Sequence, residues 1–139
     1  FVDQMIILRK VSEKDNKFLY NLLKERDSNV NISHKKMPKY SEHIKFLASK
    51  PYSKWYIIEY NKKKSGSIYL SKNNEIGIFV KKSFRGNKIG ENAVKLLIEK
   101  YPKSRYLANI NPKNKESIKF FKKFKFKLIQ HTFELIPEN

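Results

Sequence analysis

The chain contains no cysteine, which removes thiolate nucleophiles, thiolate metal sites and disulfides from consideration at once. Glycine is scarce, four in 139 residues, so each one marks a place where the backbone has a special need. Acidic residues are few: thirteen stand against thirty-one basic ones, for a formal net charge of +18 at pH 7. Long apolar runs are missing as well. Stretches such as Tyr56-Ile57-Ile58 are far too short to span a bilayer, and no charged n-region with an apolar h-region precedes a small-residue cleavage site, so a cytoplasmic protein without a membrane partner is expected. Phe1 to Gln4 precede Met5 and are read as an appended stretch outside the fold.

A chain of this length fits a single domain, residues 1–139, and can bury an adequate core without cross-links. Its charge raises nucleic acid as a partner, because phosphate neutralisation by Lys and Arg dominates such binding. Arginine is nevertheless confined to Arg9, Arg26, Arg85 and Arg105, and lysine is accompanied by abundant Asn and Ile with few Ala and Gly. That composition reads as AT-rich coding and a solvated lysine surface.

Hydrophobic periodicity orders the chain. Ile6 to Val11 alternates as a strand; Ser12 caps a helix with Phe18, Leu19, Leu22 and Leu23 on one face; Asp27 to Lys39 is a polar loop. Ser41 opens a second helix that Pro51 stops. Trp55–Tyr60 and Ser65–Leu70 form a hairpin about Asn61 to Lys64. Glu75 to Val80 is the next strand, and Gly77 inside it signals a bulge or a close approach. Ile89, Ala93, Leu96 and Leu97 stripe a helix ended by Pro102. Tyr106 to Ile110 is a short strand, Asn114 caps a helix through Phe124, and Phe126 to Ile136 is a closing strand. The order β-α-α-β-β-β-α-β-α-β implies an α/β sandwich with a mixed sheet.

The most telling stretch is residues 75–97, where a strand passes through a basic, glycine-containing turn into an amphipathic helix. Such a turn offers unpaired backbone N–H groups and a positive dipole end, which suits a pyrophosphate. Arg85-Gly86-Asn87-Lys88-Ile89-Gly90 resembles the acetyl-coenzyme A signature of the GNAT N-acetyltransferases, Arg/Gln-x-x-Gly-x-Gly/Ala, with Lys88 at the position usually held by glycine. Residues 114–126, beginning at Asn114 and ending at Phe126, resemble the second motif of that family, Asn-x-x-Ala-x-x-Leu-Tyr-x-x-x-Gly-Phe.

The resemblance covers Ile6 to Ile136 and implies a GNAT-like fold: a mixed six- to seven-stranded sheet with helices on both faces and two strands splayed at the cofactor site. It further implies that Arg85, Gly86, Asn87, Lys88, Ile89 and Gly90 hold the pyrophosphate of acetyl-coenzyme A. Ile78, Phe79 and Val80 would hydrogen-bond the pantetheine arm, and Asn114 would add a polar contact beyond its capping role. Phe121 stands where many members keep a tyrosine that protonates the departing thiolate; a phenyl ring has no such proton, and core packing is the better account of it.

A protonated amine is not a nucleophile, so a base is needed, and Glu75 at the head of the splayed strand is the candidate. His34 in the polar loop is a weaker one, while His43 and His131 read as structural. No spacing among the three suggests a metal, so no metal is expected. The function implied is direct acetyl transfer to a primary amine, either an amino-sugar nucleotide or another small amine, by a monomer or homodimer. Two rival readings stay open, a non-catalytic coenzyme A-binding module and a basic nucleic-acid-binding protein.

Overall fold

Asn61 and Lys62 take positive φ angles of 48° and 69°, the geometry of a two-residue hairpin turn whose twist matches its strands. A computed structural model, describing residues 5–26 and 37–138, builds the sheet around this hairpin. Strands β1 (Ile6–Lys10), β2 (Lys54–Tyr60), β3 (Lys63–Leu70) and β4 (Ile76–Val80) run antiparallel in the order β1-β2-β3-β4. A register shift between Ile58 and Glu59 leaves Ser65 opposite no partner residue, and its Oγ donates to the Ile58 carbonyl at 2.9 Å.

Helices cover both faces. On one, α3 (Ile89–Lys100) and α4 (Lys115–Lys123) lay Ile89, Ala93, Val94, Leu97 and Phe121 against Tyr56, Ile58, Ile68, Leu70 and Ile76. Each such aliphatic side chain contributes about 1.5–3 kcal/mol by leaving water. On the other face α1 (Asn16–Lys24) buries Leu19, Tyr20 and Leu22, and α2 (Tyr40–Ala48) packs on α1 with His43 against Tyr20. The second helix thus begins one residue before Ser41, with the Lys39 N–H held by Glu42 at 2.9 Å.

Two expected strands are corrected. Tyr106 to Ile110 meets the sheet at one parallel rung, Glu75 with Leu107, made by Ile76 N–H to the Leu107 carbonyl at 2.8 Å and Leu107 N–H to the Asn74 carbonyl at 2.9 Å. Beyond that rung the two backbones part. Of the closing stretch, Phe126 packs on Phe121 in the core, whereas every residue from Lys127 to Glu138 is exposed and outside the sheet. Among the described residues the sheet is therefore four antiparallel strands plus a parallel bridge, not six or seven mixed strands. Alternation assigns faces to a strand, but only a partner with unpaired main-chain groups makes one.

A charged knot closes the sheet against α1. Asp15, fully buried, accepts from Arg9 Nη2 at 2.8 Å and Nη1 at 3.1 Å, from the Ser12 N–H at 2.8 Å, and pairs with Lys64 Nζ at 2.8 Å. Burial alone would push its carboxyl up, but the hydrogen bonds from Arg9, Lys64 and Ser12 outweigh it and hold the pKa well below the usual carboxylate range. Beneath the other face the hydroxyls of Tyr56 and Tyr101 meet; burial first, and then that hydrogen bond, push the Tyr56 phenol up to about 12.

Candidate active site

Strand β4 has one paired edge and one open one. Lys81 N–H donates to the Ser65 carbonyl of the β3 side, and Ile76 N–H to Leu107 on the other side. Alternation then turns the main-chain groups of Ile78 and Val80 to the open edge and commits those of Gly77 and Phe79 to β3. Of the three residues expected to line a pantetheine arm, Ile78 and Val80 thus offer backbone there and Phe79 does not. Phe79 projects to the α1 side, where the guanidinium carbons of Arg85 and Arg26 stand 5.4 and 5.7 Å from its ring centroid.

The open edge runs into the turn. After a 3₁₀ turn at Lys82–Phe84, Gly86 adopts φ +92° and Lys88 φ +58°. The first α-type bond of α3 is Asn92 N–H to the Lys88 carbonyl at 3.1 Å, and no side chain caps this end. The N–H groups of Ile89, Gly90 and Glu91 therefore precede the intrahelical ladder, where the helix dipole favours an anion. Asn87 donates from Nδ2 to the Phe84 carbonyl at 3.0 Å and holds the turn in shape, and Arg85 reaches back to the Val80 carbonyl at 3.4 Å.

Above the helix end lies an open cleft of about 270 Å³, walled by Val80, Phe84, Arg85, Lys88, Gly90, Phe120, Lys123 and Phe124. Three cations thus face it, with Glu91 as the acidic member. Phe120, Lys123 and Phe124 were not among the expected site residues. Their one signal was spacing: Phe120 and Phe124 share a helical stripe, and sequence could not tell which side of that stripe met the core. Phe121 did fall in the core, as expected.

Lys88 occupies the left-handed region that the motif normally gives to glycine. A side chain there costs about 1–2 kcal/mol, partly offset by the stiffness that glycine lacks in the unfolded chain. Lys88→Gly is expected to raise the melting temperature by about 2–4 °C; thermal unfolding followed by circular dichroism checks it.

At the far end of β4, Glu75 accepts from Ser71 Oγ at 3.0 Å and from Asn109 Nδ2 at 2.6 Å. Its carboxylate is thereby fixed at the vertex of the splay, between β4 and the Tyr106–Ile110 segment, on the sheet face opposite α3. Val80 lies five residue steps further on, about 17 Å of extended chain. Gly77 lies on this face too, with the Tyr69 ring in the space a Cβ would fill; close approach, rather than a bulge, is why glycine stands there. Tyr69 stacks on Tyr52 at 3.6 Å between ring centroids, and Tyr52 meets Trp55 edge-on. Burial pushes the Tyr52 phenol upward, and Tyr69 adds to the shift.

Asn114 caps α4: its Oδ1 accepts from the Ser117 N–H at 3.2 Å and its Nδ2 donates to Ser117 Oγ at 2.9 Å. His43 is buried against Tyr20, His131 stacks on Phe133, and His34 lies outside the described residues. No group of three or more metal-ligating side chains occurs among the described residues, and no described helix is long and apolar enough to cross a membrane.

A sheet with one strand edge left open leads into an uncapped helix N-terminus over a basic cleft, and the whole is an α/β fold. Residues 16–126 match the model of the Acetyltransferase (GNAT) family, and the chain belongs to that family. Among solved structures it is similar to a domain from Methanocaldococcus jannaschii DSM 2661, with 26% identity, TM-score 0.83, and 95% of this chain and 94% of that one covered. It is also similar to an N-acetyltransferase from Staphylococcus aureus Mu50, at 23% identity and TM-score 0.68 over 88% and 84% of the two chains. A third likeness is to RimL, a ribosomal L7/L12 alpha-N-protein acetyltransferase in complex with coenzyme A, at 18% identity and TM-score 0.71 over 94% and 84%. No curated protein sequence matches the chain.

Proposed function

We propose that the protein is an N-acetyltransferase that moves the acetyl group of acetyl-coenzyme A directly to a primary amine. The observation that carries this reading is the continuity of the open β4 edge with the free N–H groups of α3. A diphosphate at Ile89, Gly90 and Glu91, with Arg85, Lys88 and Lys123 around it, would leave the pantetheine arm to pair with Ile78 and Val80 as an added strand. The arm would then deliver the thioester toward the splay vertex, where Glu75 waits.

With no cysteine, no thiol of the chain can carry the acetyl group, which supports direct transfer with amine and thioester together in one ternary complex. Holding them in attacking geometry supplies on the order of 7–11 kcal/mol of the acceleration. An outward N–H of β4 polarises the thioester carbonyl. Glu75 takes the amine proton, directly or through a water; Ser71 and Asn109 aim its carboxylate and leave each oxygen a lone pair for that proton. Phe121, buried in the core, gives the departing thiolate no proton; a thiol with a pKa near about 8.5 departs adequately without a dedicated acid. Asn114 in this reading acts chiefly through the helix it caps.

The acceptor we favour is a small amine bearing a negative charge, such as an amino-sugar nucleotide, since a cationic polyamine would be repelled by a surface of net charge +18. Thiol release from acetyl-coenzyme A measured over a panel of amines tests the function. At least one anionic amine should accelerate release, and Glu75→Gln should lower kcat by about 10²–10⁴-fold with KM for acetyl-coenzyme A little changed. Tight coenzyme A binding with no amine-dependent release would instead identify a non-catalytic binding module.

A further inference from the structure

The sheet face opposite α3 carries a second charged feature. The last turn of α1 holds Arg26 over it: the Arg26 N–H donates to the Leu23 carbonyl at 3.1 Å. The neighbouring Glu25 carboxylate accepts from the Lys82 N–H at 2.9 Å and so fastens the helix end to the turn after β4. The Arg26 guanidinium carbon stands 5.7 Å from the Phe79 ring centroid, and that of Arg85 stands 5.4 Å from the same centroid. Two of the chain's four arginines thus share one phenyl ring.

Neither guanidinium forms an ion pair with a carboxylate among the described residues. A cation that ends a helix gains from the dipole, and one over an aromatic ring gains from its π face, each by about 0.3–1 kcal/mol at an exposed site. Those gains account for either cation by itself. They do not account for the pair, because two like charges at one ring repel unless an anion stands between them.

The surroundings of Arg26 are aromatic. The Tyr69 ring lies across Gly77, Tyr52 stacks on it, and Trp55 meets Tyr52 edge-on while its Nε1–H is held by Ser67 Oγ at 2.7 Å. Surrounding atoms withhold water from Arg26 and lower its pKa, an effect that the Tyr69 and Tyr52 phenols oppose, although the residue still reaches solvent. Arginine stays charged all the same. The Tyr52 phenol, itself pushed upward by burial, stays uncharged and does not neutralise it. Alternation puts Phe79, Gly77 and Glu75 on this one face. The face is therefore bipolar: the cation at one end, Tyr69 over the midpoint, the Glu75 carboxylate at the other, with about 13 Å of strand between Phe79 and Glu75.

We propose that Arg26 binds the anionic group of the acceptor, and that the enzyme selects amines whose phosphate or carboxylate lies several bonds from the nitrogen. The assignment rests on the transfer reaction proposed above, since Glu75 sets where the amine sits. An α-amino acid, with both charges on one carbon, cannot reach both ends of the face; an amine carrying its anion at the far end of a sugar or a chain can. The net charge of +18 does not make this choice, because it draws every anionic amine alike wherever the charge sits on the molecule.

The test is thiol release from acetyl-coenzyme A with 2-aminoethyl phosphate, 6-aminohexyl phosphate, 6-aminohexanoate and hexylamine, on the parent, Arg26→Gln and Arg26→Lys. In the parent, kcat/KM should be about 10- to 100-fold higher for one of the two long anionic amines than for 2-aminoethyl phosphate or hexylamine, and the better of the two identifies the anion. Arg26→Gln should abolish that advantage mainly through KM, and Arg26→Lys should restore part of it. Hexylamine turnover and KM for acetyl-coenzyme A should stay within about twofold in both variants. Arg26 lies exposed beyond the end of α1, so the variants keep their fold, which circular dichroism verifies. Equal rates for short and long anionic amines in the parent overturn the proposal. So does a raised KM for acetyl-coenzyme A in Arg26→Gln, which would give the arginine to the cofactor. Calorimetry separates the anion site from the reaction: 6-aminohexyl phosphate or 6-aminohexanoate should bind the coenzyme A-loaded parent and lose about tenfold or more in affinity in Arg26→Gln. Such binding without thiol release would keep the anion site and sink the transfer reaction, whereas no binding, or equal binding to both proteins, sinks the anion site.

Discussion

Gly86→Val is expected to weaken acetyl-coenzyme A binding by about 10- to 100-fold while the sheet stays folded. Gly86 sits at φ +92°, and a Cβ built there meets no atom within 4 Å. The penalty is thus purely one of backbone conformation: a β-branched residue is excluded from that region, and the turn must move to accept it. Moving it swings Asn87 off the Phe84 carbonyl and turns the leading N–H groups of α3 away from a common focus. The core beneath, Ile89, Ala93, Val94 and Leu97, is untouched. Calorimetric titration with acetyl-coenzyme A should show the loss, with the melting temperature within a few degrees of the parent. Undiminished binding in a variant that unfolds normally would mean that the turn does not hold the diphosphate, and the proposed function would fall with it.

Asp15→Asn is expected to cost about 3 kcal/mol of stability at neutral pH, near the low end for breaking a buried ion pair, because Arg9 and Lys64 remain about one-third exposed and keep some water. That corresponds to a fall of about 10 °C in melting temperature for a domain of this size. The pH dependence follows from the direction of the shift. Its folded pKa lies below the ordinary value of 3.8, so the unfolded chain binds the proton more readily. The stabilisation is then complete above about pH 4 and drains away as the pH falls further. Urea unfolding at several pH values between about 2.5 and 7 should show parent and variant converging at the acid end. Parallel curves would assign the loss to packing rather than to the charge.

The two variants probe different things that the sequence disclosed unequally. The Arg85 to Gly90 turn was legible because its chemistry is local: a positive φ favours a glycine, as at Gly86, and free N–H groups need only a strand followed by a helix. Gly77 was legible as either a bulge or a close approach, and only the structure chose the second and showed the Tyr69 ring that makes it. Asp15, by contrast, gave no signal, since its partners Arg9 and Lys64 come from β1 and β3 and meet only once the hairpin has closed. Asn109 was equally silent; it reaches Glu75 across thirty-four residues through one parallel rung.

By itself the sequence determined the order of four strands and four helices, because periodicity acts over a few residues; their ends were less legible, since of the expected caps Asn114 holds, whereas α1 begins at Asn16 rather than after Ser12 and α2 at Tyr40 rather than after Ser41. It determined as well that no thiol chemistry is available and that a basic turn precedes an amphipathic helix. Only the tertiary structure decided which strands have partners, since pairing depends on unpaired groups brought from elsewhere in the chain. That is why Tyr106 to Ile110 contributes a single rung and Lys127 to Ile136 stands outside the sheet. It decided, too, that Ile78 and Val80 face the open edge while Phe79 faces away. A register is a relation between two strands, and neither strand carries it alone.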